Sequence, residues 1–230
     1  MNEPVLLLLE TATAVCSVAL SRGDSLISSR TAGGEREHAS ILAVYIKEVI
    51  EEAGMVIGDI DAVVVSRGPG SYTGLRIGVA TAKGICYALK KPLIAVDTPL
   101  AMTSCYLEGL EMVDKNSILI PVIDARRMEV YGAAMDTDMN YLQPIRAEIL
   151  SPDSFVTDEQ RRHIVFGDAA LKCADNYSNR SFITVDTSFR LTAMGLLRPG
   201  LEAFRAGKFE DVAYFEPFYL KEFVAKRKSG

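Results

Sequence analysis

The sequence predicts an α/β fold built on a mixed sheet, and three observations predict it. Apolar and amphipathic segments alternate from the N-terminus in the order strand, strand, strand, helix, strand, helix, strand. A glycine-rich loop lies between a β-branched apolar run and a helix, as it does in many α/β units. The composition is that of an ordinary globular chain: 230 residues, 49% hydrophobic and 24% charged, with 17 Gly and 9 Pro. Such a chain buries a real core, as one large domain or two small ones, and it is not a disordered polymer.

Val5–Glu10 is a short apolar run of the kind a central strand shows. A Thr11-Ala12-Thr13 turn leads to a strand at Val15–Leu20, and Arg22-Gly23-Asp24 turns the chain into Ser25–Arg30, which makes a three-strand meander. Gly33-Gly34 breaks it, and His38–Ala53 reads as a helix closed by Gly54. Ala62–Ser66 is the next strand, followed by the loop Gly68–Gly74 and a helix that runs to Lys90 and stops before Pro92. Leu93–Val96 is another strand, and a helix follows at Pro99–Leu110. Strands are expected beyond it at Ile118–Asp124, Glu129–Met135, Ile145–Leu150, His163–Phe166 and Phe182–Val185, with helices at Ala169–Asn176 and Leu191–Ala206. The polar Leu110–Asn116 stretch is where a second lobe would begin. The basic Lys226-Arg227-Lys228 run reads as a solvated tail.

Charge and cysteine usage exclude several classes. A net charge of −5 and a pI near 5.2 argue against a chain that grips nucleic acid by bulk charge. Cys16, Cys86, Cys105 and Cys173 lie far apart, and with only His38 and His163 no spacing suits a structural zinc. Met1-Asn2-Glu3-Pro4 lacks a basic leader region, and no run approaches the roughly 18 apolar residues of a membrane span. A soluble cytoplasmic protein with reduced thiols is expected.

Two constellations could carry chemistry or contact. The segment Ser66-Arg67-Gly68-Pro69-Gly70-Ser71-Tyr72-Thr73-Gly74-Leu75-Arg76-Ile77-Gly78 places backbone N–H groups and a helix N-terminus where an anion could sit. It matches neither the dinucleotide nor the Walker pattern. Two readings therefore stand: an anion loop, or a turn that lets the helix pack tightly on the sheet. Along the helix that follows, Arg76, Lys83 and Lys90 form one stripe, Gly74, Gly78 and Ala82 a small-residue row, and Ala80, Gly84 and Ala88 another. In the preceding helix Leu42, Ile46, Val49, Ile50 and Ala53 face inward, while Ile41 and Val44 fall on the polar side and Tyr45 at its margin. Surplus apolar surface on two neighbouring helices predicts a protein–protein interface, unless the second lobe covers it. Glu10, Asp97 and Asp124 end strands, where acids bind a divalent metal or merely cap turns. No Ser or Cys carries the local signature of an activated nucleophile.

The stretches LLLLETATAVCSVAL at Leu6–Leu20, RGPGSYTGLRIGVATAKGI from Arg67, IPVIDARRMEVYGA at Ile120–Ala133 and Pro217-Phe218-Tyr219-Leu220 closely resemble the TsaB (YeaZ) family. The resemblance implies the two-lobed actin-like, Hsp70-like ATPase fold, each lobe RNase H-like. It implies a first lobe over 1–110, a second over 111–211, and a segment from about 212 to 230 that returns to the first. The implied role is a non-catalytic scaffold in making N6-threonylcarbamoyladenosine at adenosine 37 of tRNAs that read codons beginning with A. Its implied partners are the paralogue TsaD and the ATPase TsaE, with a homodimer when the chain is alone and tRNA met only through the complex. TsaD-like proteins carry a metal-binding H-x-x-x-H on the first helix, where this chain has His38 and Leu42, so no metal site and no catalytic residue are expected. Ile41, Val44, Tyr45, Glu48, Leu75, Val79 and Lys83 are the expected partner or dimer contacts, the charged ones setting register. Glu10, Thr11, Gly68, Gly70, Ser71 and Gly74 are the candidates for a vestigial nucleotide or anion loop, with ATP or ADP, if any, at the partner interface. The competing reading is an enzyme acting alone: an ATP-dependent transferase using Glu10, Gly68, Gly70 and Asp97 or Asp124, or a peptidase. A nuclease of RNase H type would need a basic substrate path that the charge does not supply.

Overall fold

The computed structural model describes residues 3–33, 38–110 and 112–221. The first sheet begins with the meander β1 (Val5–Glu10), β2 (Val15–Arg22) and β3 (Ser25–Gly33) and is extended by β4 (Ala62–Gly68) and β5 (Leu93–Asp97). Its order is β3-β2-β1-β4-β5, with the meander antiparallel and β1-β4-β5 parallel. The second sheet repeats this plan with β6 (Ile118–Asp124), β7 (Glu129–Met135), β8 (Tyr141–Ile149), β9 (His163–Phe166) and β10 (Ile183–Asp186). Its order, β10-β9-β6-β7-β8, again has a meander followed by two parallel strands.

Helices α1 (His38–Glu52) and α2 (Tyr72–Leu89) cover one face of the first sheet. Helix α3 (Thr98–Glu108) and helix α5 (Leu197–Arg205) lie between the two sheets, and α4 (Ala170–Tyr177) covers the far face of the second. Pleating explains why β1 is apolar at every position but its last. Leu7 and Leu9 point into the core under α1 and α2, whereas Leu6 and Leu8 point into the layer between the sheets. β6 divides in the same way, with Ile120 and Val122 toward α4 and Leu119 and Ile123 toward the shared layer.

The chain does not stay in the second lobe up to residue 211. Leu196, Leu197 and Leu201 join the layer between the sheets, Gly200 packs directly on Val64, and Glu210 N donates to Leu93 O at 2.8 Å. The return to the first sheet thus begins at the 3-10 turn Ala193–Leu196, which also splits the single helix expected over Leu191–Ala206. Strand β8 starts four residues before Ile145, at Tyr141. It is a sheet edge, where Pro144 is tolerated because one side of the strand needs no N–H partner. The Lys226-Arg227-Lys228 run lies outside the described residues.

Candidate functional site

The corner where β1, β4 and α2 meet holds the expected anion loop. Glu10 ends β1 fully buried. Its Oε1 accepts the Ala12 N–H at 2.7 Å, and its Oε2 accepts the Ser66 hydroxyl. Burial raises this carboxyl to about 7 against the pull of those hydrogen bonds, because no cation among the described residues compensates the lost hydration. The loop then closes on the β1–β2 turn. Ser71 N donates to Ala12 O at 2.7 Å, Ser71 Oγ caps Gly74 N at 3.3 Å, and Thr11 Oγ1 donates to Gly74 O at 2.8 Å. A methyl group at Gly70 would overlap the Ala12 carbonyl, and one at Gly68, where φ is +119°, would overlap the Phe218 carbonyl. The structure thus brings Glu10, Thr11, Gly68, Gly70, Ser71 and Gly74 together as a packed junction, and two of the loop amides an anion would use already have partners.

The strand-end acids do not converge. Asp97 pairs with Arg67 at 2.7 Å and accepts the Tyr141 hydroxyl at 3.3 Å, so it ties β5 to β8. Asp124 pairs with Lys172 at 2.5 Å on the opposite lobe. Among the described residues no three His, Cys, Asp or Glu side chains gather as metal ligands. A magnesium nucleotide therefore does not fit these residues: the acid that would serve it is walled off and the loop is closed on itself. Burial also pushes the thiols up, Cys16 and Cys86 to about 11 and Cys173 to about 12, away from nucleophilic thiolate.

Between the lobes is an open cleft of about 700 Å³. The Ala12–Ala14 turn and the Pro69–Thr73 loop form one wall, the β6–β7 turn with Asp124, Arg126 and Arg127 the other, and Phe218–Lys221 cross it. Lys221 pairs with Glu129, and the Tyr219 ring lies 5.1 Å from that of Tyr72.

The expected partner face is only partly open. Val44 is 49% exposed, and Ile41 and Tyr45 are half-buried beside the first core. Leu75 and Val79, expected as contacts, are instead enclosed at 1% and 3% exposure, packed under α2 with the Gly74-Gly78-Ala82 row. The open side of α2 is the other small row, Ala80, Gly84 and Ala88, flanked by Tyr87. The charged residues expected to set register have partners within the chain. Glu48 and Glu52 bind Arg30, and Lys83 Nζ donates to Ala213 O at 3.2 Å and Phe215 O at 2.8 Å. Sequence reasoning missed this last contact, since nothing local to Lys83 signals carbonyls so far along the chain. His38 begins α1 and its side chain lies outside the described set; Leu42, four residues on, is core.

The profile of a family described as "TsaD: tRNA N6-adenosine threonylcarbamoyltransferase" matches residues 28–221. The tRNA threonylcarbamoyladenosine biosynthesis protein TsaB of Escherichia coli K12 is 28% identical over 232 aligned residues, covering 97% of each chain. The structure of YeaZ from Pseudomonas aeruginosa superposes with a TM-score of 0.81 at 25% identity, over 94% of this chain and 100% of that one. Component A of the (R)-2-hydroxyglutaryl-CoA dehydratase of Acidaminococcus fermentans shares the fold at a TM-score of 0.50 and 11% identity, over 88% and 98% of the two chains. The duplicated sheet and these likenesses make this the two-lobed actin-like ATPase fold.

Proposed function

Since this chain belongs to the TsaD family, in its TsaB (YeaZ) branch, and so takes part in tRNA threonylcarbamoyladenosine biosynthesis, we propose that it serves there as a non-catalytic scaffold. The observation that carries the reading is the sealed corner: Glu10 is buried without a cation, and the glycine loop beside it is packed against the β1–β2 turn. A partner of TsaD type supplies the chemistry, and a TsaE-type ATPase joins the assembly. The product is N6-threonylcarbamoyladenosine at adenosine 37 of tRNAs reading codons that begin with A. Docking uses α1 through Val44, with Ile41 and Tyr45, and α2 through its open small-residue row, and the same face pairs two copies when the partner is absent. Any ATP or ADP is held where the partner completes the site. Four free thiols, three of them buried, suit a reducing cytoplasm, and among the described residues no helix is long and apolar enough to cross a membrane.

Reconstitution tests this reading. The chain alone is expected to give neither ATP turnover nor modified tRNA, and the three proteins together to give modified tRNA. Val44→Arg with Gly84→Arg is expected to weaken TsaD binding more than about tenfold, since a bulky charge at a contact centre must be desolvated, without lowering the melting temperature. Wild-type affinity in that double variant rejects the docking face. An ATPase rate of the isolated chain that vanishes in Glu10→Ala rejects the scaffold in favour of an enzyme.

A further inference from the structure

The turn between β6 and β7 carries a feature that scaffolding does not use. Arg126 and Arg127 both adopt left-handed backbone, with φ of +68° and +51°. Consecutive non-glycine residues seldom sit there, and a long side chain kept at such a cost points to a use for the side chain. Both side chains are exposed on the rim of the interlobe cleft.

Their surroundings leave them uncompensated. Arg30, Arg67, Arg146, Arg180, Arg198 and Arg205 each bind a carboxylate, and Arg22, Arg76, Arg161, Arg162 and Arg190 each donate from the side chain to a sulfur, hydroxyl or carbonyl. Among the described residues the Arg126 and Arg127 guanidinium groups make neither an ion pair nor a hydrogen bond, although three acids lie in the same cleft wall. Asp124 is taken by Lys172, Glu129 by Lys221, and Asp168 Oδ1 by the Asp124 N–H at 3.0 Å. In a chain of net charge −5 the turn thus presents, on two consecutive residues, guanidinium groups without a partner among the described residues.

From this geometry, and resting on the tRNA role proposed above, we infer that the Arg126–Arg127 turn contacts the RNA phosphate backbone directly. Guanidinium groups bind phosphate bidentately, and neighbouring ones match successive phosphates. A large polyanion fits better than a free nucleotide. The groups stand on an open rim, whereas the glycine loop opposite, which would hold nucleotide phosphates, has Ser71 N and Gly74 N engaged within the protein. Two contacts cannot hold tRNA by themselves against the acidic surface, so the turn acts within the complex, adding to the partner's grip.

The test measures binding of an unmodified tRNA reading codons that begin with A to the reconstituted complex, by filter assay across a KCl series. The variant is Arg126→Gly with Arg127→Gly, because glycine relieves the left-handed backbone and keeps the turn folded. Its complex is expected to bind about tenfold more weakly, with the slope of log K against log salt shallower by about two. Arg126→Lys with Arg127→Lys is expected to keep most of the affinity. Unchanged affinity and slope in a complex whose wild type does modify tRNA overturns the arginine contact alone. ADP binding by the isolated wild-type chain that is lost in the glycine variant, with tRNA binding by the complex intact, overturns it in favour of a free nucleotide. A wild-type complex that makes no modified tRNA fails the functional reading instead.

Discussion

At the scale of single residues, Glu10 sets the character of the molecule. Its folded-state carboxyl titrates at about 7 against a reference of 4.5. The folded protein therefore holds a proton that the unfolded chain has released, so stability falls as pH rises between those values. The contribution is fully present below 4.5, is lost through about 7, and is flat above. Glu10→Gln keeps an acceptor for Ala12 N and removes the charge. At pH 8 it is expected to be more stable than wild type, by up to about 3 kcal/mol at 1.4 kcal/mol per unit, with the gap closing toward pH 5. Urea midpoints at the two pH values measure this, and a constant gap would refute it. That an acid ends the first strand was legible in the sequence. That it is sealed was not, because Ser66, which closes it, lies 56 residues away on a neighbouring strand.

At the scale of elements, α2 shows what helical periodicity resolves. Both small-residue rows and the basic stripe are readable from spacing alone, and the helix bounds differ little from those expected. Which row faces the sheet is not readable, because a helix that is apolar or small on nearly every side carries no marker of its covered face. Leu75 and Val79 pass for contacts in the sequence for that reason and are core in the fold. The two rows are expected to respond oppositely to one methyl group. At Gly78 it meets the Thr11 hydroxyl, and Gly78→Ala should destabilise by about 1–3 kcal/mol. At Gly84 it meets nothing within 4 Å, and Gly84→Ala should stabilise by up to about 1 kcal/mol through helix propensity. Equal effects in thermal melts would contradict the assignment of faces.

At the scale of the whole molecule, the C-terminal segment binds the lobes to each other. Lys83 holds it by two carbonyls, Phe218 N donates to Arg67 O at 2.7 Å, and Lys221 reaches Glu129 of the second lobe. Lys83→Met keeps the apolar stem and removes the donors. Exchange of the Phe218 amide hydrogen is expected to quicken about tenfold, since local opening governs exchange there, while amides of β1 and β4 stay protected. An unchanged rate would show that the segment is held without Lys83. Phe215 fills the core under α1 and α2, and Leu197 and Leu201 fill the layer beneath the other face of the same sheet. A ribosome therefore releases all five strands of the first sheet well before the residues that complete its cover. The second sheet, made from one unbroken stretch, has all its strands before residues 197–215 arrive to finish the cover of the first. The lobe whose strands come first in the sequence is thus completed last, and a chain truncated before Leu197 would leave both faces of its sheet incompletely covered.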